Sequence, residues 1–454
     1  MALTKTVRDP VHGDIRVHES DLKLLDTPEM QRMRGIKQLG TAYHVYPSAQ
    51  HTRFEHMLGA YHVAGNLIER IRENHQRDPK SCRGISPKEA SIIRVVALLH
   101  DVTHIPHGHA IEDQDGLFPR HDKKSLLKKA VTEGELGRVL KRRRLAQVVG
   151  DHLSDTGGKN KGTAFLSQVV NGHVGADILD YLKRDAYFTG LRIGYDDRLF
   201  DYIKVDPKSG QVYVDLVKHD MDREDILTEV LNLLHCRYVS SERIYYHHAK
   251  VASGALLSRA VEIAVMGGLR RKDVEGTTDA SLLTLLRDRP YDDHSLGSAK
   301  EVSAMVGDLL DRFETRRLPK RCFVATRLGN EKRQDALVQT FLNDATARRS
   351  VEVEIAKKLG LKNPLGVIVY CPNKNMQLKE AAVPVRRAGK GIKPLTKYQE
   401  DFPILRQVVE AYRDLWKLYV FIPEGGAEDQ IRAGRVAERI LRQRFPGIKN
   451  QYRP

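Results

Sequence analysis

The sequence predicts a mainly α-helical protein with one small β-hairpin and an α+β C-terminal lobe. Apolar residues recur at helical spacing through most of residues 20–313, a pattern typical of amphipathic helices. Two short alternating segments flank the Pro-Lys-Ser-Gly turn at 207–210, which indicates a hairpin. Beyond residue 318, short β-branched runs alternate with helical stretches. We therefore expect a helical body over 1–315 and a separate lobe over 316–454.

Caps and helix breakers place the helices along the chain. Residues 20–39 are predicted to be a helix that Pro28 interrupts. Ser86-Pro87-Lys88-Glu89 is a capping box that begins a helix over 87–101. Further helices are predicted at 52–75, 123–149, 164–188, 222–266, 279–287, 298–313, 330–359 and 427–444. The polar, glycine-rich stretch 151–161 is predicted to be a loop.

The predicted strands are short and fall in two places. Residues 204–205 and 211–215 are expected to form the hairpin of the helical body. Three strands of the C-terminal lobe are predicted at 321–326, 366–371 and 417–422. The basic stretch from Arg386 to Lys397 is predicted to be a linker between elements of this lobe.

Composition excludes several classes of protein. With 41% hydrophobic and 30% charged residues, the chain is not a disordered protein. No apolar run approaches the ~20 residues of a membrane helix, and Met1–Lys5 lacks the apolar core of a signal peptide. Four cysteines stand far apart, which fits reduced thiols in the cytoplasm. The net charge of +16 leaves nucleic acid open as a partner, beside a merely solvated basic surface.

The pair His100-Asp101 is the clearest sign of a functional site. It ends the hydrophobic run Ile92–Leu99, and more histidines follow at 104, 107 and 109. A buried imidazole and carboxylate need partners, and one metal ion satisfies both. His56 and Asp177, on two other predicted helices, could complete a ligand set inside a helical bundle. Taken singly, each residue has an ordinary alternative, because lone histidines are usually hydrogen-bonded and terminal aspartates usually cap helices.

These residues and their neighbours resemble the HD-domain metal-dependent phosphohydrolases. The matching motifs are Asp9-Pro10-Val11-His12-Gly13-Asp14-Ile15, the stretch from Asp26-Thr27-Pro28 to Gln38-Leu39, Arg53-Phe54-Glu55-His56, and Asp180-Tyr181 with Arg184-Asp185. Within that superfamily they are similar to the deoxynucleoside triphosphate triphosphohydrolases that join a sterile-alpha-motif domain to an HD domain. We expect no such leading domain here. The resemblance is strong over 1–250 and thins towards 320.

The resemblance implies an HD-domain helical bundle that hydrolyses dNTPs at the α-phosphorus. The implied metal is one divalent ion of Mn, Fe, Ni, Co or Zn, with additional Mg as an option, bound by His56, His100, Asp101 and Asp177. The implied catalytic residues are His104, His109 and His121 with Asp122, the last raising the pKa of His121 as a general acid. The implied substrate-binding residues are Gln38, Leu39, Arg53, Tyr181, Asp185, Arg237 and Tyr245. Without the resemblance, Tyr181 and Tyr245 could be ordinary helix residues and Arg237 an ion-pair partner.

The same resemblance implies a regulated oligomer, a dimer or a tetramer, activated by a guanine nucleotide. The implied activator-binding residues are Lys5, Asp26, Gln31, Arg34, Arg316 and Lys320. Other positions of that site differ from the family, namely Arg8, Asp225 and Glu229, and acidic residues repel a triphosphate. The active site also departs from the family at Thr103, Ile178 and Ser241, which leaves the identity of the nucleotide open.

Two other functions remain open at this point. One is an HD nuclease or phosphodiesterase, which the net charge of +16, the run Lys141-Arg142-Arg143-Arg144 and the basic C-terminal lobe favour. The other is a nucleotide sensor without turnover, against which the complete metal ligand set argues. The sugar-reading set of Gln38, Tyr181, Asp185 and Tyr245 favours the dNTP hydrolase.

Overall fold

An antiparallel hairpin precedes the helices. The computed structural model describes residues 4–114, 117–154, 162–294, 296–361, 363–373 and 376–454. Strand β1 (Thr4–Asp9) pairs with β2 (Gly13–His18) across a turn in which Gly13 has a φ of +74°. The sequence did not predict this hairpin, because its strands are largely exposed and carry no apolar alternation on β1. The hairpin contains the Asp9–Ile15 motif and brings it close to the helices.

Five helices form the first part of the helical body. The predicted helix 20–39 is wrong as one element, because it breaks before Pro28 and ends in a 3-10 turn at Met33–Gly35. The long helices at 52–75 and 87–101 are confirmed, and both capping boxes, Thr52 with Glu55 and Ser86 with Glu89, are formed. The elements are α1 (Glu19–Leu25), α2 (Pro28–Arg32), α3 (Arg53–Arg77), α4 (Pro87–Leu99) and α5 (Gly108–Gln114).

Two predicted helices are each divided into shorter ones. The predicted helix 123–149 is wrong, because Gly134 and Arg144 take left-handed backbone angles, φ +66° and +57°, that end a helix. The predicted helix 164–188 is interrupted between Gly172 and Gly175, where a Cβ would lie under 2.4 Å from carbonyl oxygens. The elements are α6 (Lys124–Thr132), α7 (Gly134–Arg142), α8 (Ala146–Leu153), α9 (Phe165–Asn171) and α10 (Ala176–Thr189).

The loop predicted at 151–161 begins later in the chain than expected. Helix α8 continues to Leu153, so the first residues of that stretch are helical. Residues 155–161 lie outside the described part of the chain.

The hairpin predicted at 204–215 is confirmed, and the remaining helices of the body follow it in the chain. Strands β3 (Ile203–Val205) and β4 (Val212–Asp215) pair antiparallel, and a small ribbon follows, β5 (Val217–Lys218) with β6 (Met221–Asp222). The predicted helix 222–266 contains a π-helical turn at Ser241–Tyr245 that divides it. The helices are α11 (Glu224–Ser240), α12 (His248–Met266), α13 (Arg271–Val274), α14 (Asp279–Asp288) and α15 (Ala299–Glu314).

The C-terminal lobe contains the three predicted strands in one antiparallel sheet, ordered β7-β11-β8. The predicted helix 330–359 is two helices, because Asp344 caps a new start. Helix 427–444 is confirmed. The elements up to the sheet's second strand are β7 (Lys320–Thr326), α16 (Gln334–Phe341), α17 (Ala345–Leu359) and β8 (Ile368–Tyr370). After them come β9 (Pro384–Arg387), β10 (Gly391–Pro394), α18 (Pro403–Arg413), β11 (Lys417–Ile422) and α19 (Ala427–Arg444).

The linker predicted from Arg386 to Lys397 is wrong, because this stretch belongs to a hairpin. Strands β9 and β10 pair antiparallel, and β9 adds in parallel to β4 of the helical body. The resulting sheet has the order β10-β9-β4-β3. Arg386 donates to both carboxylate oxygens of Asp215, at 2.7 and 2.6 Å, which fixes the register between the two halves of the chain.

The fold class is confirmed, since helices dominate and the sheets are small. One large hydrophobic core runs through both halves, from Leu67 and Val96 of the first helices to Trp416 and Leu441 near the C-terminus. The division at 315/316 therefore stays a prediction. The four cysteines, Cys82, Cys236, Cys322 and Cys371, are buried and unpaired. Within the described residues, no helix is long and apolar enough to cross a membrane.

Candidate active site

The four predicted metal ligands lie together at the ends of three helices. His56 is in the second turn of α3, His100 and Asp101 follow α4, and Asp177 is in the first turn of α10. His56 Nε2 lies 3.0 Å from His100 Nε2, 3.1 Å from Asp177 Oδ1 and 3.9 Å from Asp101 Oδ2. His100 Nε2 lies 3.6 Å from Asp177 Oδ1 and 3.7 Å from Asp101 Oδ1. Four donor atoms thus surround one point.

The hydrogen bonds of the two imidazoles show that this cluster fits a cation. Nδ1 of His56 contacts Asp180 Oδ2 at 2.8 Å, and Nδ1 of His100 contacts the Ala97 carbonyl at 2.8 Å. Both partners only accept, so each Nδ1 carries a proton and each Nε2 is the atom that a metal would bind once its own proton is displaced. Ligands about 2.1 Å from a metal are separated by roughly 3–4 Å, as these donor atoms are. His56, His100 and Asp101 could therefore hold a metal ion, with Asp177 beside them.

The two carboxylates of the cluster are ionised. Burial raises the pKa of Asp101, but His104, Arg53 and His100 outweigh it and hold the pKa well below its usual range. Burial also raises the pKa of Asp177, and His100 and His56 reverse that effect. Two charged carboxylates beside two imidazoles form the mixed nitrogen and oxygen set that transition metals prefer.

Metal binding is expected to release protons from the cluster. Burial lowers the pKa of His56, but hydrogen bonds with Asp177 and Asp180 raise it to about 10, so the metal-free imidazole is protonated at pH 7.5. A metal must displace that proton, so affinity should rise by about tenfold per pH unit between roughly pH 6.5 and 9. Titration calorimetry of metal-stripped protein in buffers of different ionisation enthalpy measures the release. Binding heats that are independent of the buffer would contradict the assignment of His56 as a ligand.

A buried ion-pair network holds His56 from behind. Asp180 accepts from His56 Nδ1, from His12 Nε2 at 2.6 Å and from Arg184 Nε at 2.9 Å. Arg184 Nη1 continues the network to Asp9 Oδ2 at 2.8 Å. Asp180 and Arg184 are fully buried. Because a carboxylate behind a ligating imidazole fixes its tautomer and orientation, this network positions the metal cluster.

Gly59 makes room for that network. It lies on α3 one turn after His56, and a Cβ there would be 1.8 Å from Asp180 Oδ1 and 2.3 Å from Arg184 Nη2. The sequence motifs contain these residues without revealing the contact. Asp180 lies three residues after Asp177 on the same helix, so the two side chains share a helix face. This spacing was the sign in the sequence that Asp180 lies near the metal cluster.

Three further histidines form a second cluster next to Asp101. The rings of His104 and His121 stack with centroids 3.4 Å apart, and His109 lies 5.2 and 5.4 Å from them. His104 Nε2 is 3.3 Å from Asp101 Oδ1. Burial, together with Arg53 and His121, holds the pKa of His104 well below its ordinary value, so the ring is neutral. Its buried Nδ1 has no hydrogen-bond partner among the described residues, which leaves it available to a ligand.

The carboxylate that orients His121 is Glu112, whereas the sequence indicated Asp122. Glu112 Oε2 accepts from His121 Nδ1 at 2.8 Å and from its backbone N–H at 3.2 Å. Arg271 lies 3.7 Å from the other carboxylate oxygen. Asp122 is exposed and pairs with Arg120 instead. In this turn the side chain of Asp122 extends away from His121, although the two residues are adjacent in the sequence. Adjacency therefore indicated the wrong carboxylate.

A polar pocket adjoins the metal cluster. Asp185 accepts from the Tyr245 hydroxyl at 2.6 Å and contacts His51 Nε2 at 2.9 Å. Gln38 Oε1 is buried and lacks a hydrogen-bond partner among the described residues. The Tyr181 ring lies 6.4 Å from both the His56 and the Tyr245 rings and so joins the two groups. A buried acceptor without a donor is costly, which suits a site where a ligand supplies the donor.

Leu39 forms the apolar side of this pocket. It is 7% exposed and clusters with Ala42, Ala49 and Ile244, against which the Tyr245 ring packs. The π-helical turn Ser241–Tyr245 carries Tyr245 to this position, and such turns are frequent at functional sites.

Two arginines supply positive charge at opposite ends of the pocket. Arg53 donates from Nη1 to Asp101 and keeps a buried Nε without a partner among the described residues. Arg237 lies 5.6, 5.1 and 5.9 Å from the ring centres of Tyr181, Tyr245 and Tyr412. Arg237 also forms an ion pair, with Glu380 at 3.4 Å, and this pair lies at the pocket.

Comparison with known proteins agrees with this arrangement of residues. The family model for the HD domain matches residues 53–185, which contain all four cluster residues, and the model for the HD associated region matches 228–447. The chain therefore contains an HD domain and an HD associated region. Helices α3, α4 and α10 are therefore the core of its HD domain.

Relatives of this HD-domain chain are found in animals and in archaea. Deoxynucleoside triphosphate triphosphohydrolase SAMHD1 of Mus musculus is 27% identical over 330 residues, which covers 64% of this chain and 49% of that protein. An uncharacterized protein of Methanocaldococcus jannaschii is 30% identical over 289 residues, 62% of this chain and 55% of that protein. The chain thus spans about half the length of these relatives.

A solved structure shares the fold of this HD-domain chain over nearly its whole length. The crystal structure of a hypothetical protein from Aquifex aeolicus gives a TM-score of 0.64 at 23% identity. It covers 96% of this chain and all of the other. This likeness extends the common fold through the HD associated region.

Three departures from the family pattern have ordinary structural partners. Thr103 donates to the His121 carbonyl at 2.7 Å and so ties the histidine turn together. Ile178 is buried in the main core of the HD domain. Ser241 accepts from Arg237 Nη1 at 3.0 Å and donates to the Arg237 carbonyl at 2.9 Å. None of the three adds a charge to the pocket.

The residues implied for activator binding lie in two groups outside the HD core. Arg34 Nε donates to Gln31 Oε1 at 2.9 Å, and its guanidinium covers the Phe54 ring at 3.6 Å. Lys5 is exposed on β1, and Asp26 is exposed at the end of α1. In the second group, Arg316 donates to the His44 carbonyl at 2.7 Å, and Lys320 is exposed at the start of β7. Their role stays a prediction.

The divergent positions of that region are engaged within the chain. Asp225 contacts Arg223 and Arg198 at 2.5 and 2.7 Å. Glu229 accepts from the backbone of Asp196 at 3.4 Å, and Arg8 pairs with Asp14 at 2.9 Å.

Glu112, Glu380 and Tyr412 are the residues at the site that sequence reasoning missed. Glu380 and Tyr412 belong to the HD associated region and lie more than a hundred residues after the pocket's other side chains. No local pattern marks them, because only the folded chain places them beside Arg237.

Proposed function

We propose that this chain is a metal-dependent dNTP triphosphohydrolase that converts a dNTP to a deoxynucleoside and tripolyphosphate. The observation that carries the proposal is the pocket formed by Gln38, Asp185 and Tyr245 directly beside the metal cluster. A pocket that offers acceptors and one aromatic wall suits a sugar hydroxyl. The name of the mouse relative supports the same substrate class.

The metal in this proposal is one divalent ion of Mn, Fe, Ni, Co or Zn held by His56, His100, Asp101 and Asp177. When bound, it polarises the α-phosphoryl oxygen and lowers the pKa of a water molecule. An additional Mg would accompany the triphosphate.

The protein's own side chains handle charge and protons. Arg53 and the neutral His104 lie beside the metal cluster, where Arg53 Nη1 and His104 Nε2 contact Asp101, and this position suits contacts to phosphate oxygens. His109 stands beside them. We assign His121 as the donor of a proton to the departing 5′-oxygen, because Glu112 accepts from Nδ1 and fixes the orientation of the ring. Arg237 binds phosphate at the end of the pocket opposite Arg53.

The sugar pocket explains a preference for deoxynucleotides. Either Asp185 or Gln38 Oε1 accepts the single proton of the 3′-hydroxyl, and Tyr181 closes one side. The hydrogen bond from Tyr245 to Asp185 fixes the tyrosine ring against the sugar. A 2′-hydroxyl there would be buried without a partner, a loss of about 1–3 kcal/mol. Leu39 lines the apolar side towards the base.

The proposal also covers regulation and assembly. We propose that a guanine nucleotide binds the group of Lys5, Asp26, Gln31, Arg34, Arg316 and Lys320 and that the enzyme is a homodimer or homotetramer. Residues 316–454 then act as a regulatory and oligomerisation lobe. Buried, unpaired cysteines fit the cytoplasm as its compartment.

Product analysis tests the proposal. Metal-loaded protein is incubated with the four dNTPs, the four NTPs and labelled oligonucleotides, and the products are separated by ion-exchange chromatography. We expect deoxynucleoside and tripolyphosphate from dNTPs, and a rate about 5- to 150-fold lower from NTPs, since the 2′-hydroxyl cost enters the transition state.

The oligonucleotide arm distinguishes the second candidate function. Exposed cations on α7 and just after it, Lys141, Arg142 and Arg144, and the net charge of +16 favour a nuclease. Shortened oligonucleotides with intact dNTPs would establish that function and reject ours.

A further inference from the structure

The HD associated region reaches into the pocket with one carboxylate. Glu380 lies on the short 3-10 turn Lys379–Ala382, and its Oε1 is 3.4 Å from Arg237 Nε. The two side chains are only 17% and 21% exposed. An ion pair so shielded from water is not a surface contact, and it joins two distant segments of the HD associated region at the site proposed for phosphate.

The geometry of this ion pair is loose. Arginine binds carboxylates best through two parallel hydrogen bonds, whereas Glu380 makes one long contact with Nε. Arg237 Nη1 is turned away to the Ser241 hydroxyl at 3.0 Å. The Tyr412 hydroxyl lies 3.3 Å from Ser241 Oγ. The guanidinium is thus held in place by its neighbours while its main counter-charge is only weakly attached.

A phosphate group would be a stronger partner for the same guanidinium. It carries more charge than a carboxylate and offers oxygens for two charge-assisted hydrogen bonds. It cannot share Arg237 comfortably with Glu380, because two anions within about 5 Å repel by several kcal/mol in a half-buried site. Ile178 and Ser241 add no cation that would offset this repulsion.

We propose that Glu380 is a positioning residue that competes with the nucleotide's phosphates for Arg237, so that phosphate binding displaces the turn Lys379–Ala382 from the pocket. The inference rests on the proposed function for the identity of the phosphate compound. The position of this turn of the HD associated region then depends on whether the pocket holds a phosphate group.

The contacts that follow the turn limit how far such a displacement extends. Directly after the turn, Val383 accepts from the Leu395 backbone at 2.8 Å, and β9 is fixed to β4. Arg386 of β9 is anchored to Asp215 by two short hydrogen bonds. Movement of Glu380 is therefore confined to the turn, between the fixed β9 and the pocket.

Binding of inorganic tripolyphosphate to the metal-loaded protein tests the proposal without requiring turnover. E380Q removes the competing charge and should tighten binding at least about tenfold in low salt. The matched control is E400Q, which removes the same charge from an exposed glutamate near Arg406 and should change affinity less than about twofold. E380D keeps the charge but shortens the side chain, so it should also tighten binding.

Steady-state kinetics provide the second readout. If dNTPs are substrates, E380Q should lower KM by a similar factor and leave kcat within about twofold, because only binding is affected. In an R237A background, E380Q should have no effect, since the residue through which it acts is gone.

Three results would overturn the proposal. The first is that E380Q binds tripolyphosphate no more tightly than E400Q does. The second is an effect of E380Q that persists in R237A. The third is loss of activity on one nucleobase alone, which would mean that Glu380 reads the base. Tighter tripolyphosphate binding by E380Q and E380D in a protein that leaves dNTPs intact would support this proposal and reject only the proposed function.

Discussion

Replacing Asp101 with alanine is expected to remove both bound metal and hydrolysis. Asp101 is the carboxylate that joins the metal cluster to the second histidine cluster, at 3.7 Å from His100 and 3.3 Å from His104. Its loss also leaves the buried Arg53 without its counter-charge. Loss of an outer-shell partner costs 10–100-fold, so loss of a ligand should exceed about 100-fold in turnover. His100→Ala should behave alike.

Metal content by mass spectrometry and product formation are measured on the same preparation. The matched control is Asp308→Ala, an exposed aspartate on α15, which should retain both. Wild-type activity in either the Asp101 or the His100 variant would refute the ligand assignment.

The second large effect is expected from Gly59→Ala. The new methyl group would have to occupy the space of Asp180 and Arg184, neither of which can move away from its buried partners. Separating such buried ion pairs costs about 3–5 kcal/mol of unfolding free energy. Because Asp180 orients His56, metal affinity should fall as well, by about 10–100-fold.

The same helix provides the matched control for this change. Gly65 also lies on α3, and a Cβ there meets nothing within 4 Å. Gly65→Ala should therefore stabilise the protein by about 0.5–1 kcal/mol, the ordinary helix effect. Denaturant unfolding of the metal-free proteins measures both changes. A Gly59→Ala variant as stable as the wild type would show that the network behind His56 can rearrange freely.

Local signals in the sequence predicted the parts of the fold that local physics determines. The capping box at Ser86 placed the start of α4, because a cap satisfies free backbone groups within one turn. Arg144 ends α7 in a left-handed conformation, and a non-glycine residue there gives no compositional warning. Strand β9 was missed because its partner β4 lies far away in the sequence.

The candidate site divides in the same way. His56, His100 and Asp177 were recognisable because their motifs are contiguous and each lies near the end of a helix. Glu112 and Glu380 were not, because each acquires its role from a partner that only the folded chain brings near. Residues bound to the reacting groups leave local motifs, whereas those that hold them in position depend on packing between distant segments.

The parallel pairing of β4 with β9 has a consequence for how the protein is made. Val214 and Asp215 of β4 find their partners Val385 and Arg386 about 170 residues later in the chain. At about 5–20 residues per second, a ribosome needs roughly 10–30 s to deliver them. Throughout that interval the nascent chain presents an unpaired edge of β4 on which Asp215 has Lys204 but still lacks Arg386, and chaperones and neighbouring chains compete for this edge.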